Sequence, residues 1–213
     1  MLDIALALSK GIPTSVLIAL SAFILGAIIA VPLVLMRRSR LLISRAVART
    51  YIDVFRGIPP VVWLFIIFFG LGSGLVKLSS TQAAITGLGL VSAAYLAEIY
   101  RGGFLALPFG QSEASKALGI NRLDTLRYVL APQVLRVSLP PMATFLVSLL
   151  KDTTVASTIG ARDIMMFVSQ EAQATGGGFM PFLLAAAIYI LLSIPVAFLS
   201  RSIDEAMRRR SAK

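Results

Sequence analysis

The 213-residue chain contains no cysteine and no histidine. Their absence removes disulfides, thiolate chemistry, the commonest metal ligand and any Ser-His or Cys-His catalytic pair. Carboxylates are scarce, ten against twenty lysines and arginines, and too scattered to form a metal-ligand cluster. No GxxxxGK[ST] phosphate loop occurs, which excludes ATP binding of that kind. Gly72-Ser73-Gly74 reads as a loop, not a nucleophile elbow. Internal repeats, low-complexity segments and a small-residue cleavage site after the first apolar run are also missing, so that run reads as a retained span. The expectation is a chain that is no enzyme by itself and binds no metal or cofactor.

What is abundant is apolar sequence. Hydrophobic residues make up 57% of the chain and the mean hydropathy is +0.87, too apolar for an ordinary soluble domain. Several uncharged runs reach the roughly 20 residues that a helix needs to cross a bilayer core of about 30 Å. They predict an all-α membrane bundle of about five helices, near 11–36, 57–76, 78–98, 137–160 and 179–200, forming one domain over 1–213. A net charge of +10 in a soluble protein would suggest nucleic acid, but the distribution argues against it. Sixteen of the twenty basic residues fall in the loops after spans one, three and five, all on one side of a five-span chain. Positive-inside bias makes that side cytoplasmic, with the N-terminus outside and the C-terminus inside. The same cations attract anionic membrane lipid.

Along the chain, Pro32 and Pro195 read as kinks in the first and last spans. Residues 41–55 carry Leu42, Ile43, Ala46, Val47 and Val54 among arginines. That pattern is a cytoplasmic amphipathic helix or an inward extension of span two. Gly57 to Pro60 then breaks the backbone, and Gly70, Gly72 and Gly74 mark the outer end of span two. Glu98 and Arg101 are three apart and can pair on one helix face. Gly102-Gly103 and Pro108-Phe109-Gly110 terminate span three, and span four begins near Pro140-Pro141, with Gly160 closing its outer part. Residues 161–174 form an outer amphipathic stretch with Arg162 and Asp163 at its start, and Gly176-Gly177-Gly178 is a joint before span five.

The polar loop 101–136 carries the most chemistry. Ser112 can cap a short helix over 113–118, and Gly119 can end it in the left-handed conformation. Asn121, with Asp124 three residues on, can cap a second helix toward Pro132. Physics alone leaves a rigid projecting knob and a plain connector equally open. The spacing adds a resemblance. Glu113, Ala114, Gly119 and Pro132 match the pattern Glu-Ala-Ala, three residues, Gly, nine residues, Ile-x-Leu-Pro. Ser115, Val129 and Ala131 depart from it mildly. The pattern resembles the coupling loop of permease subunits of binding-protein-dependent ABC importers. Residues 94–103, Gly110-Gln111, Arg56-Gly57 with Pro59, and 149–154 look like the polar amino acid uptake branch. The likeness is close over 49–159 and a matter of pattern elsewhere. It implies ATPase-coupling roles for Glu113, Ala114, Gly119 and Pro132. It also implies partners: ATPase subunits holding ATP and Mg²⁺, a second permease subunit, identical or not, and an extracytoplasmic solute-binding protein. The implied location is the bacterial cytoplasmic (inner) membrane.

Lys151-Asp152 interrupts span four. With entry near Pro141, ten residues at about 1.5 Å each place Lys151 some 15 Å deep, near the midplane. A charge there costs about 2.5–3.5 kcal/mol and needs a partner or a wet cavity. One reading pairs each group with some other residue and fixes helix packing. The other makes Lys151, Asp152, Thr153 and Thr154 a receptor for a zwitterion, which agrees with the translocation path that the resemblance implies. Ile58, Trp63, Val91 and Phe145 stand where the resembling permeases usually carry polar groups. Ordinary packing, a neutral or derivatised amino acid as substrate, and a selective site in the partner subunit each account for that. The rival function is a secondary, ion-coupled transporter of small zwitterions; five spans without visible inverted halves fit that class poorly.

Overall fold

The computed structural model describes the backbone of residues 1–71, 77–176 and 178–211, and their side chains except at 199–200 and 203–211. Gly72, Ser73, Gly74, Gly177 and Lys213, to which the sequence assigned turn, joint and charge roles, lie outside the described residues.

Every regular element among the described residues is helical. A short helix α1 (Leu2–Ser9) leads into α2 (Ile12–Arg37), whose 26 residues at 1.5 Å each give about 39 Å, enough to cross a bilayer at a tilt. Pro32 lies inside it, as expected. Helix α3 (Leu42–Gly57) meets α4 (Pro60–Phe65) at a bend of 104°, and α4 continues as a wider π-helical turn to Leu71. The bend follows from the two prolines. Each disfavours the helical conformation in the residue before it, and Ile58 and Pro59 are accordingly extended (φ −105°, ψ 133° and φ −56°, ψ 141°). Four helical stretches are long and apolar enough to cross a membrane, or five with this bent pair counted as one.

Helix α5 (Ser80–Leu105) is the central post. Its start is a capping box: Ser79 Oγ accepts from Gln82 N at 3.2 Å and Gln82 Oε1 accepts from Ser79 N at 2.9 Å, satisfying two otherwise unpaired donors. The helix passes through Gly102 and Gly103 instead of stopping there. Gly103 is an interior contact point, where a Cβ would lie 2.5 Å from Ser138 Oγ. Small residues bring α2 equally close, since a Cβ on Gly26 would stand 2.5 Å from Ser92 Cβ. Such close approach is how membrane helices gain packing contacts without a hydrophobic driving force. Among the described residues three buried clusters result. Ile18, Ala22, Leu64, Ala84, Leu88 and Leu149 form the first; Ala30, Val34, Ala48, Ile52, Ala97 and Met142 form the second; Leu8, Ile164, Val168 and Ala185 form the third.

Helix α3 packs into the second of these clusters. Ala48 and Ile52 are buried, and the Tyr51 hydroxyl donates to Leu90 O at 2.8 Å. Residues 41–55 thus form an amphipathic helix that packs on the bundle and joins α4 through the bend. Phe55 and Trp63 stack across the bend with centroids 4.1 Å apart.

Beyond α5 come the small α6 (Gly110–Ala117) and α7 (Arg122–Asp124), a π-helical turn over Thr125–Leu130, and α8 (Ala131–Asp152). The helix that carries span four begins before Pro140-Pro141, so both prolines sit within α8. Membrane helices tolerate such prolines, and Thr144 Oγ1 makes an additional bond, donating to Pro140 O at 3.2 Å. A 3₁₀ segment, Thr153–Ile159, ends at Gly160 with φ +83°. Helices α9 (Ile164–Ala174) and α10 (Met180–Ser211) complete the chain.

Candidate functional site

The first candidate site is the polar projection between α5 and α8. Helix α6 starts earlier than expected: Ser112 lies inside it, and Phe109 stands at the cap with no side-chain cap bond. Its end matches the sequence reading. Gly119 has φ +71°, Gly119 N donates to Lys116 O at 3.0 Å and Ile120 N to Ser115 O at 3.0 Å. These two bonds form a Schellman motif, which needs a left-handed residue at the turn. Asn121 Oδ1 then accepts from Asp124 N at 2.9 Å and its amide donates to Asp124 Oδ2 at 2.6 Å, capping the next helix.

Pro132 explains the π-helical turn before α8. It has no N–H and its ring crowds the carbonyl four residues back. Widening the preceding turn relieves this, with Ala131 N donating to Leu126 O. Ser115, the departure from the expected alanine, is buried and donates to Gln111 O at 2.8 Å. Gln133 Nε2 ties the two limbs together through Gln111 Oε1 at 3.2 Å. Glu113, Ala114, Gly119 and Pro132 all lie on the exposed surface of this braced knob. So do large apolar side chains: Phe109 is 90%, Leu118 77% and Leu123 70% exposed. Exposed apolar clusters with a polar surround mark docking surfaces. The sequence pointed to the motif residues and missed these three.

The second candidate site is on α8 and α10. Lys151 is exposed and Asp152 half-buried, and among the described residues no ion pair joins them. Lys151 lines two adjoining recesses of about 320 and 300 Å³ with Thr144, Ser148, Arg201, Tyr189 and Ser193. Thr144, Ser148 and Lys151 are spaced i, i+4, i+7, one stripe of a helix. That spacing was available in the sequence and went unused. Tyr189 and Ser193 lie nine and thirteen residues beyond Met180, roughly 14–20 Å along α10, so Lys151 faces the middle stretch of that helix.

The other expected path residues do not share this cleft. Thr153 is fully buried and donates to Leu150 O at 2.8 Å, while Thr154 is half-buried. Phe145 lies on another face of α8, stacked on Tyr95 at 5.3 Å and against Phe23 at 6.4 Å. Arg56 sits 5.1 Å over the other partner in that stack, Tyr95. Val91 is buried in α5, Ile58 is half-buried at the bend, and Trp63 is held by Phe55 with its Nε1 buried and unpartnered. At the inner end of α5, Glu98 accepts from Arg101 Nε at 2.8 Å and pairs with Arg37 at 3.6 Å. It is a structural node joining α2 to α5.

A buried acid lies between the spans. Asp163 is fully buried and caps α9 through Oδ1, which accepts from Met166 N at 2.9 Å, while Oδ2 has no partner. Burial pushes its carboxyl up to about 6. The folded chain thus binds more protons here than the unfolded chain between about pH 4 and 6, so this group's contribution to stability falls as pH rises through that window. Asn caps helices as well as Asp. Asp163→Asn should therefore flatten the pH dependence of thermal unfolding in that range and leave the chain at least as stable at neutral pH. A loss of stability at neutral pH would contradict this account.

An all-helical bundle with several membrane-length apolar helices, a braced polar knob on one end and an ionisable cleft between α8 and α10 has the architecture of a multi-pass membrane protein. Residues 11–209 match the family described as Binding-protein-dependent transport system inner membrane component. The chain is 36% identical over 210 residues to the octopine transport system permease protein OccM of Rhizobium radiobacter, covering 94% of this chain and 86% of that one. It is 33% identical over 211 residues to the L-cystine transport system permease protein TcyB of Bacillus subtilis, covering 97% and 88%. A solved amino acid ABC transporter with histidines superposes with a TM-score of 0.88 at 28% identity, covering 97% and 96%. The MetNI methionine ABC transporter shares the fold, with a TM-score of 0.79 at 21% identity.

The chain belongs to this family: it is a permease subunit of an ABC importer, with the ATPase in separate subunits. Nothing favours a secondary transporter.

Proposed function

We propose that this chain conducts amino acids or amino-acid-like solutes through an ATP-driven importer in the bacterial cytoplasmic membrane. The N-terminus is outside and the knob and C-terminus are inside. Two permease subunits, identical or different, two ATPase subunits holding ATP and Mg²⁺, and an extracytoplasmic binding protein complete the assembly. The chain itself binds no cofactor and catalyses no reaction. The observation that carries this reading is the braced, apolar-tipped knob at Glu113 to Gly119, with Pro132 setting the helix behind it. The relatives named for octopine and L-cystine transport support an amino-acid-like solute.

Lys151 indicates where the path runs. An ammonium facing lipid at mid-depth costs about 2.5–3.5 kcal/mol, so its face of α8 and α10 borders a wet passage against the second permease. There Lys151 receives the solute carboxylate. Asp152 and Thr154 beside it bias the local charge, and Thr153 holds the backbone turn. Phe145, Val91 and Trp63 pack away from this cleft. No carboxylate is among the described residues that line it, so it offers nothing to a cationic side chain and the solute is neutral in its side chain. Proteoliposomes holding the whole complex should take up a neutral amino acid about tenfold faster than arginine. Robust arginine uptake would overturn the neutral class, and no ATP-dependent uptake of any amino acid would overturn the importer reading.

A further inference from the structure

A third feature belongs to neither the knob nor the cleft. Between α2, α5 and the start of α8 lies an apolar slot of about 250 Å³ lined by Val31, Val34, Tyr100, Phe104, Leu126 and Leu135, among others. It opens on the outside of the bundle, where Val31, Leu35 and Leu135 are 47%, 40% and 49% exposed. Leu126 and Leu135 are nine residues apart, so the slot runs roughly 13 Å, close to the thickness of one hydrocarbon leaflet, about 15 Å.

Its rim is cationic at one end only. The Arg38 guanidinium lies 4.1 Å over the Phe104 ring, which puts it at the end of the slot formed by Leu35, Phe104 and Leu126. Stacking leaves the edge donors of an arginine free. The nearby acids are engaged elsewhere: Glu98 by Arg37 and Arg101, Asp124 by Asn121. Among the described residues Arg38 has no carboxylate partner. This is the arginine-rich end of the bundle, where Arg40 and Arg127 are also exposed.

We infer that the slot is a specific site for an anionic phospholipid of the leaflet that the arginine-bearing loops face. One acyl chain fills the slot and the phosphate is held by Arg38. Basic pockets between spans select anionic headgroups in this way. The slot is much narrower than a helix about 10 Å across, so a helix from a partner subunit would lie over its mouth and leave it unfilled, whereas a single acyl chain can enter. The lipid would wedge α8 against α2 and α5 directly behind the knob, and so couple membrane composition to the helix that carries Pro132.

The test is native mass spectrometry of the full complex, offered phosphatidylglycerol and phosphatidylcholine with identical acyl chains. Wild type should retain phosphatidylglycerol about five- to tenfold better, the effect of one arginine on one extra anionic charge. Arg38→Gln should bring the ratio close to one, and Arg38→Lys should keep most of it. Ala131→Phe, which narrows the slot, should lower retention of both lipids. Equal retention by wild type, or an unchanged ratio in Arg38→Gln, would overturn the site. So would displacement of the lipid by inorganic phosphate, which would show that the slot holds no tail. The chain has no native cysteine, so a disulfide between two Leu135→Cys copies would assign the slot to a second copy and also overturn the proposal. The outcome does not depend on which solute is transported.

Discussion

Gly119→Asp should lower uptake at least tenfold while the chain still inserts and assembles. The turn at Gly119 has φ +71°, which costs an L-residue roughly 1–2 kcal/mol, with Asp and Asn the best tolerated. No atom lies within 4 Å of the position a Cβ would take, so the side chain meets no obstacle within the chain. On the proposed docking, the carboxylate meets the ATPase. It adds a charge to the tip of the knob, between Leu118 and Ile120, where burial against an ATPase would leave it unpaired at a cost of several kcal/mol. Gly119→Asn separates the two effects. It keeps the left-handed turn and adds no charge, and it should retain most of the uptake. Uptake and ATP hydrolysis in proteoliposomes are the paired readouts. Hydrolysis that continues without uptake is the expected signature of the aspartate variant, and normal uptake would remove the docking role.

Lys151→Glu is the second large effect. Lys151 and Arg201 line the same recess of about 320 Å³, and the other named polar groups there, Thr144 and Ser148, carry no charge. On the proposed reading, this site receives the solute carboxylate. A hydrogen bond to a charged group contributes about 1.5–3 kcal/mol, ten- to roughly a hundredfold in binding. Reversing the charge should therefore reduce uptake at least tenfold without dispersing the complex. Lys151→Arg keeps the charge and should retain a measurable fraction. Uptake unchanged in Lys151→Glu would show that the lysine only packs helices. Binding of solute to the isolated binding protein is unaffected in either case, which separates a path defect from a delivery defect.

Much of the architecture was legible because it rests on local or compositional rules. The apolar runs are set by bilayer thickness, and the left-handed end of α6 by the one residue that takes positive φ without strain. The Asn121–Asp124 cap is local too. The errors came where tertiary contact overrides local preference. Gly102-Gly103 read as a stop, yet glycine there lets α8 approach α5. Pro140-Pro141 read as a start, yet α8 runs through both. Residues 41–55 are amphipathic as read, but Ala48 and Ile52 face the core while Leu42, Ile43, Val47 and Val54 are exposed.

The sequence by itself determined the class of this protein, a multi-pass permease of the ABC importer family: hydropathy gave the spans, and the spacing from Glu113 to Pro132 carried the family likeness. Only the tertiary structure decided which of its polar residues meet. Lys151 and Asp152 are adjacent in the chain, but successive side chains on a helix point about 100° apart, so one lines the cleft and the other does not. Phe145 and Tyr95 are fifty residues apart and stack. Arg38 reached Phe104, and with it the lipid slot, only through the packing of α2 on α5. Which side chains meet across helices depends on crossing geometry and close approach at small residues, and a linear pattern does not encode it.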